Sequence, residues 1–156
     1  MPKYIPQPKI DGIPANPYNE HVWITGEPDI GERTWIGAFV LLDGLGGLTI
    51  GKGCDIGSFS SIITHSTAKR CVTEREYNVI EKRPTVIEDH CFLGMNVTVL
   101  MGSRIGHHSI VAAGTVVLED TIIPPYSLVV GQPARVVRSL EQEIEKWKQE
   151  AELVSR

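Results

Sequence analysis

From Ile87 onward every sixth residue is apolar: Ile87, Leu93, Val99, Ile105, Val111, Val117, Ile123 and Val129. The same period runs upstream through Ile24, Ile30, Ile36 and Leu42 and, after a two-residue slip, through Ile50, Ile56 and Ile62. Two positions before each apolar residue the side chain is mostly small, as at Thr34, Cys54, Ser60, Thr85, Cys91, Val97, Ser103, Ser109, Thr115 and Thr121. A period of six fits neither the 3.6-residue repeat of an amphipathic helix nor the two-residue alternation of a meander. A β-sandwich, whose strands recur every ~8–12 residues, does not share it either. It fits short strands joined by corners, each face sending one large and one small side chain inward. Gly31, Gly37, Gly51, Gly57, Gly94, Gly106 and Ala112 follow the large residues and ease the corners. Three faces close one triangular coil, and coils stack through parallel backbone hydrogen bonds about 4.8 Å apart. Fifteen faces predict an all-β solenoid of about five coils.

Three segments fall outside the period. Residues 1–21, rich in Pro and Asn, read as a lead-in to a solenoid spanning residues 22–138. Residues 64–86 break the repeat with a run dense in charge, which predicts a loop protruding from the scaffold. Residues 139–156 change to helical spacing, with Leu140, Ile144, Trp147 and Ala151 on one face and Ser139 placed to cap the first turn. That C-terminal helix is expected to lie against the solenoid or a neighbouring subunit and to cover the last coil.

Composition removes several classes. A net charge of −4 gives no basic footprint for nucleic acid or an anionic membrane surface. No apolar run reaches the ~18 residues of a membrane span, and the first residues lack the apolar core of a secretion signal. Three cysteines without paired spacing argue against a disulfide framework and for a reducing, cytoplasmic setting. Cys54 and Cys91 fall at small inward positions and read as packing residues, while Cys71 lies in the loop.

The residue with most chemical promise is His65, in Ile62-Ile63-Thr64-His65-Ser66, where the regular coil ends and the loop begins. A rigid strand holds it on one side, and its ordinary pKa near neutrality suits a general base. A structural histidine at a loop base is the competing reading.

The six-residue pattern resembles that of the hexapeptide-repeat family, whose fold is a left-handed parallel β-helix. The segment from Asp43-Gly-Leu-Gly-Gly to His65 is similar to CoA-dependent acetyltransferases acting on sugars, above all the sugar O-acetyltransferases of polysaccharide biosynthesis. This resemblance implies that His65 removes a proton from an acceptor hydroxyl or amine, which then attacks the thioester of acetyl-CoA directly. Asp43 is implied to orient the imidazole or grip the acceptor, a turn role before Gly44 being the alternative. The C-terminal Gly131-Gln-Pro-Ala-Arg135 segment also recurs in these enzymes. There the pantetheine arm lies along the coils, implying contacts at Ala113, Gly114 and Gly131, with Arg135 and Arg138 as candidates for the CoA phosphates. Phe92 matches a position at which the family often places Trp beside the acyl site, keeping an aromatic wall without the indole donor. Lys69, Arg70, Arg75 and Tyr77 of the loop are candidate acceptor contacts. The family implies a homotrimer with sites between subunits, a small-molecule sugar acceptor and no metal.

Two other readings compete. The segment from Pro84 to Gly102 also resembles γ-class carbonic anhydrase-like proteins, yet Met95 and Met101 stand where those carry zinc-binding histidines, and a thioether is a poor zinc ligand. His90 and His108, eighteen residues apart, are expected to stack on one edge, as solvated corner residues rather than metal ligands. A solenoid without an active site is the third reading, since fold alone does not confer function.

Overall fold

The computed structural model describes residues 17–154. Most of the expected lead-in, residues 1–16, lies outside them, as do residues 155–156. Fifteen short strands close into five triangular coils, one strand per face per coil. The first face stacks Trp23–Thr25, Leu41–Asp43, Ser61–Ile62, Thr98–Val99 and Val116–Val117. The second stacks Asp29–Ile30, Leu48–Ile50, Thr85–Ile87, Arg104–Ile105 and Ile122–Ile123. The third stacks Trp35–Ile36, Asp55–Ile56, Phe92–Leu93, Ile110–Val111 and Ser127–Val130. Every pairing between coils is parallel and in register, so Leu42 lies over Ile62 and Leu93 over Ile56 and Val111. One buried cluster runs the length of the prism through these large residues, with Ile24 and Ile30 only partly covered in the first coil.

Most of the small inward residues share the interior with the large ones because their hydroxyls and thiols find carbonyls at the corners; the buried Thr115 hydroxyl finds none. Ser60 Oγ donates to Gly94 O at 3.1 Å, Ser103 Oγ to Leu118 O at 2.8 Å and Cys54 Sγ to Glu88 O at 3.1 Å. Cys54 and Cys91 are fully buried packing residues, and Cys71 is exposed.

The corner glycines serve a purpose other than the expected easing of the turn. A Cβ on Gly57 would stand 2.5 Å from the backbone of Gly94 in the next coil, so it is the close approach of coils that demands glycine there. The left-handed backbone of each corner falls two residues later and is carried mostly by residues with side chains, among them Phe39, Phe59, His90, Asn96 and His108. Stacked rings line these corners: Phe39 and Phe59 lie 5.3 Å apart and nearly parallel. His90 and His108 meet at 5.1 Å with tilted rings, and His108 stacks in turn on Tyr126.

Two irregularities interrupt the prism, and both fall at the corner between the first and second faces. In the second coil, residues 43–47 lengthen that corner and account for the slip in the repeat, with Leu48 and Ile50 both buried in the strand that follows. In the third coil the same corner opens into the long excursion. There His65–Ser66 pairs antiparallel with Glu81–Lys82, and between them a short helix, α1, spans Ala68–Val72. Arg83 anchors its return, donating to Asp120 at 2.8 Å and Glu119 at 2.5 Å on the same corner of the last coil.

The C-terminal segment departs from expectation. Arg135–Ser139 forms an extra strand that runs antiparallel to Ser127–Val130 and covers the end of the third face. The helix that follows, α2 (Glu141–Val154), buries none of its residues: Leu140, just before it, is buried, but Trp147 is 49% exposed. On the third face it is this strand, not the helix, that covers the edge, because backbone groups at a sheet edge need a hydrogen-bonding partner that an amphipathic face cannot supply. Ser139 does serve the helix start, its Oγ accepting from Glu141 N–H at 3.2 Å. No helix among the described residues is long and apolar enough to cross a membrane.

Candidate active site

The lengthened corner and the excursion stack directly upon one another, and this brings His65 onto Asp43. His65 Nδ1 lies 2.5 Å from Asp43 Oδ2; the imidazole is about one-third exposed and the carboxylate almost wholly buried. Asp43 Oδ2 also accepts Thr64 N–H at 2.8 Å and the Thr64 hydroxyl at 3.0 Å. Its Oδ1 accepts Leu45 N–H at 3.1 Å and the Thr25 hydroxyl at 3.3 Å. Burial alone would push the Asp43 carboxyl up, but the donors from Thr64, His65 and Leu45 outweigh it and hold the group below the usual carboxylate range.

An ionised Asp43 has only lone pairs to offer, so the hydrogen it shares with His65 belongs to Nδ1. In the neutral imidazole that tautomer leaves Nε2 as the nitrogen without hydrogen, and Nε2 accepts no hydrogen bond from the described residues. A buried carboxylate behind and a bare nitrogen in front is the arrangement of a general base. A native carboxyl value below the unfolded one contributes stability that is present in full above about pH 4–5 and lost as pH falls through the depressed value. Between pH 5 and pH 3 the urea midpoint of the wild-type chain should therefore fall more steeply than that of Asp43→Asn. Equal slopes would remove Asp43 from the acid response.

The other candidate residues lie elsewhere on the prism. Lys69 pairs with Glu81 at 2.8 Å and sits 5.6 Å from the centre of the Tyr77 ring, on the excursion beyond His65. Arg70 and Arg75 line a cavity of about 360 Å³ with Thr67, Cys71 and Glu74 on the same arm. Phe92 projects from the middle of the third face, 47% exposed. Ala113 and Gly114 occupy the corner between the third and first faces. Gly114 is already engaged there: its N–H donates to Met95 O at 2.9 Å and its carbonyl accepts Gln132 Nε2 at 2.6 Å. Ala113 is exposed, and its amide is bonded to no described backbone group. A Cβ on Gly114 would meet nothing within 4 Å, so this stretch of edge is open to an elongated ligand. Gly131 adopts a left-handed φ of 96°, Arg135 Nη1 donates to Ala134 O, and Arg138 pairs with Glu143 on α2. One chain thus assembles His65 with Asp43 and leaves Phe92, Ala113, Gly114, Gly131, Arg135 and Arg138 elsewhere, on the third face and its corner with the first.

Reading the sequence missed Thr64, Thr25 and Gly46, which build the wall around Asp43. Met95 is exposed at one corner while Met101 is buried at another, and among the described residues no three His, Cys, Asp or Glu side chains converge as a metal site requires. His107 joins the His90–His108 edge, its Nδ1 3.0 Å from His108 Nδ1. Burial, then the neighbouring His90, His107 and Lys148, hold the His108 imidazole below its usual value.

Residues 84–119 match the family model described as the hexapeptide repeat of succinyl-transferase. Among curated proteins, a 2,3,4,5-tetrahydropyridine-2,6-dicarboxylate N-acetyltransferase of Brevibacillus brevis is 43% identical over 60 residues, 38% of this chain. The chain spans only 25% of that relative's length. A hexapeptide-repeat containing acetyltransferase from Vibrio cholerae, known as a crystal structure, is 35% identical, with a TM-score of 0.61 over 78% of this chain and 64% of its own. A variant of AntD, an N-acyltransferase from Bacillus cereus solved with dTDP-4-amino-4,6-dideoxyglucose and coenzyme A, shares the fold at 17% identity, with a TM-score of 0.67 over 86% of this chain and 76% of its own. Residues 84–119 of this chain thus carry a hexapeptide repeat, and its left-handed parallel β-helix resembles the fold of hexapeptide-repeat acetyltransferases.

Proposed function

We propose that the chain is a CoA-dependent acetyltransferase in which His65 takes the proton from a sugar hydroxyl or amine, held by a nucleotide or lipid carrier, as that group attacks the thioester. The observation that carries this reading is the Asp43–His65 contact of 2.5 Å at the foot of the excursion. The naming of the relatives and the coenzyme A and nucleotide sugar bound by AntD support the acyl donor and the acceptor class.

The chemistry demands little more than this pair. A thioester carbonyl is already electrophilic, so the protein must align two substrates and handle one proton. Alignment supplies up to ~7–11 kcal/mol, and a placed base a further 10²–10⁴-fold or so. His65 Nε2 receives the acceptor proton, and Asp43 stabilises the resulting imidazolium through the hydrogen bond it accepts from Nδ1–H. His65 then returns that proton to the departing thiolate, leaving the pair as it began. Ala113 N–H and the open edge at Gly114 suit the amides and chain of a pantetheine arm, and Arg135 and Arg138 suit its phosphates. Phe92, Lys69, Arg70, Arg75 and Tyr77 remain the candidate acceptor contacts.

The division of these groups among edges supports sites between subunits. His65 stands at the first–second corner and Gly114 at the third–first corner, so the edge of a neighbouring prism must face His65 to complete a site. A cyclic trimer meets that demand with three identical contacts. Light scattering should accordingly return three times the 17.2 kDa of one chain, and a mass of one chain would overturn the shared site. The direct test of function mixes acetyl-CoA with a panel of nucleotide sugars and reads both free thiol and product mass. Acetylated sugar is the expected product. Failure to bind acetyl-CoA would leave the solenoid as a scaffold, and transfer abolished by a chelator would shift the reading to a metal enzyme.

A further inference from the structure

Buried hydroxyls recur along the interior of the prism, and most of them satisfy main-chain carbonyls. Ser60, Thr85, Ser103, Ser109 and Ser127 all do so, reaching Gly94, Ile63, Leu118 and Pro124. Thr64 is the one buried hydroxyl among the described residues that reaches an ionisable side chain. It is fully buried, yet its N–H and its hydroxyl both point at Asp43 Oδ2, at 2.8 and 3.0 Å. Its single hydroxyl hydrogen has a second acceptor in the Asp43 main-chain carbonyl at 2.8 Å. The Thr64 Oγ1 lone pairs are in turn occupied by Gly46 N–H at 2.8 Å, and the Thr64 carbonyl accepts Arg83 N–H from the returning arm of the excursion.

Gly46 shows how tightly this is built. A Cβ there would stand 2.1 Å from the Thr64 carbonyl oxygen, so only glycine lets the second coil come near enough to donate. The result is a chain of contacts, Gly46 N–H to Thr64 hydroxyl to Asp43 carboxylate to His65, that spans the two adjacent coils and the base of the loop. We infer that Thr64 is a positioning residue, locking the Asp43 carboxylate in the one orientation that keeps hydrogen on His65 Nδ1 and Nε2 bare. Its importance for catalysis rests on His65 being the base; its effect on the imidazole does not.

The test therefore begins without substrate. In ¹⁵N-labelled protein, His65 should show one dominant tautomer with hydrogen on Nδ1. Thr64→Val removes the hydroxyl while keeping shape, and should convert that signal to a mixture of tautomers; Thr64→Ala serves the same purpose if the valine variant does not fold. Thr64→Ser retains the hydroxyl and should restore the wild-type signal. An unchanged tautomer in folded Thr64→Val or Thr64→Ala, or a mixed one in Thr64→Ser, overturns the inference. Where acetyl transfer is measurable, the valine variant should lose about 10- to 100-fold in kcat with KM for acetyl-CoA unchanged, by analogy with the loss when hydrogen-bond partners that orient metal-ligating histidines are removed. The acid limb of its kcat/KM profile should move as well, and serine should return both. A tautomer change without transfer in any variant, wild type included, would uphold Thr64 and sink the acetyltransferase reading instead.

Discussion

Replacing His65 with alanine should lower thiol release from acetyl-CoA in the presence of acceptor by about 10²–10⁴-fold, the contribution of one placed general base. The imidazole is one-third exposed and, among the described residues, its single hydrogen bond is to Asp43, so its loss leaves the coil stack intact. Affinity for acetyl-CoA should stay near wild type, since the groups that suit CoA lie on the third face and its corner with the first, away from His65. This pairing of outcomes separates a catalytic from a structural histidine. A large fall in thermal stability, or wild-type turnover, would each remove His65 from the chemistry. Asp43→Asn provides the complementary case: an amide at that position no longer holds hydrogen on Nδ1, and turnover should fall with the fold retained.

Leu93→Ala should cost about 2–5 kcal/mol of unfolding free energy. Leu93 is fully buried in the middle coil, with Ile56 stacked on one side and Val111 on the other. The parallel coils fix the backbone on both sides through hydrogen bonds, which limits collapse into the space vacated and favours the upper part of that range. Denaturant unfolding of the wild type and variant measures this directly. A cost below about 1 kcal/mol would mean that the coils shift to fill the gap, contrary to the close approach seen at Gly57.

The architecture was legible because the repeat is short and strict. Ile87 through Val129 recur every sixth position, and in the structure they form the spine of the core. The same regularity made the exceptions visible: the slip between Leu42 and Ile50 and the break after Ile62 each marked a departure. What the period did not reveal is that both departures share one corner. Leu42 stacks on Ile62, which sets Asp43 beneath Ile63, and only the lengthened corner and the turn into the hairpin carry His65 back over the carboxylate. Thr64 was hidden for a similar reason, looking like one more small residue near an irregular turn. The C-terminal helix was legible as an element, but its packing was not. Helical spacing at Leu140, Ile144, Trp147 and Ala151 identifies an apolar stripe, but spacing carries no information about what the stripe packs against. The reversal of the chain at Arg135–Ser139 left no periodic trace.

That reversed strand bears on how copies of this chain behave when crowded. A stack of parallel rungs has a polarity, and an unprotected terminal rung is a template on which a second molecule could continue the same ladder, head upon tail, without limit. Running Arg135–Ser139 against the grain means that the final surface of that side no longer matches the initial rung of another copy. On this face, then, the direction of one strand interrupts the ladder that a second copy would need in order to continue it.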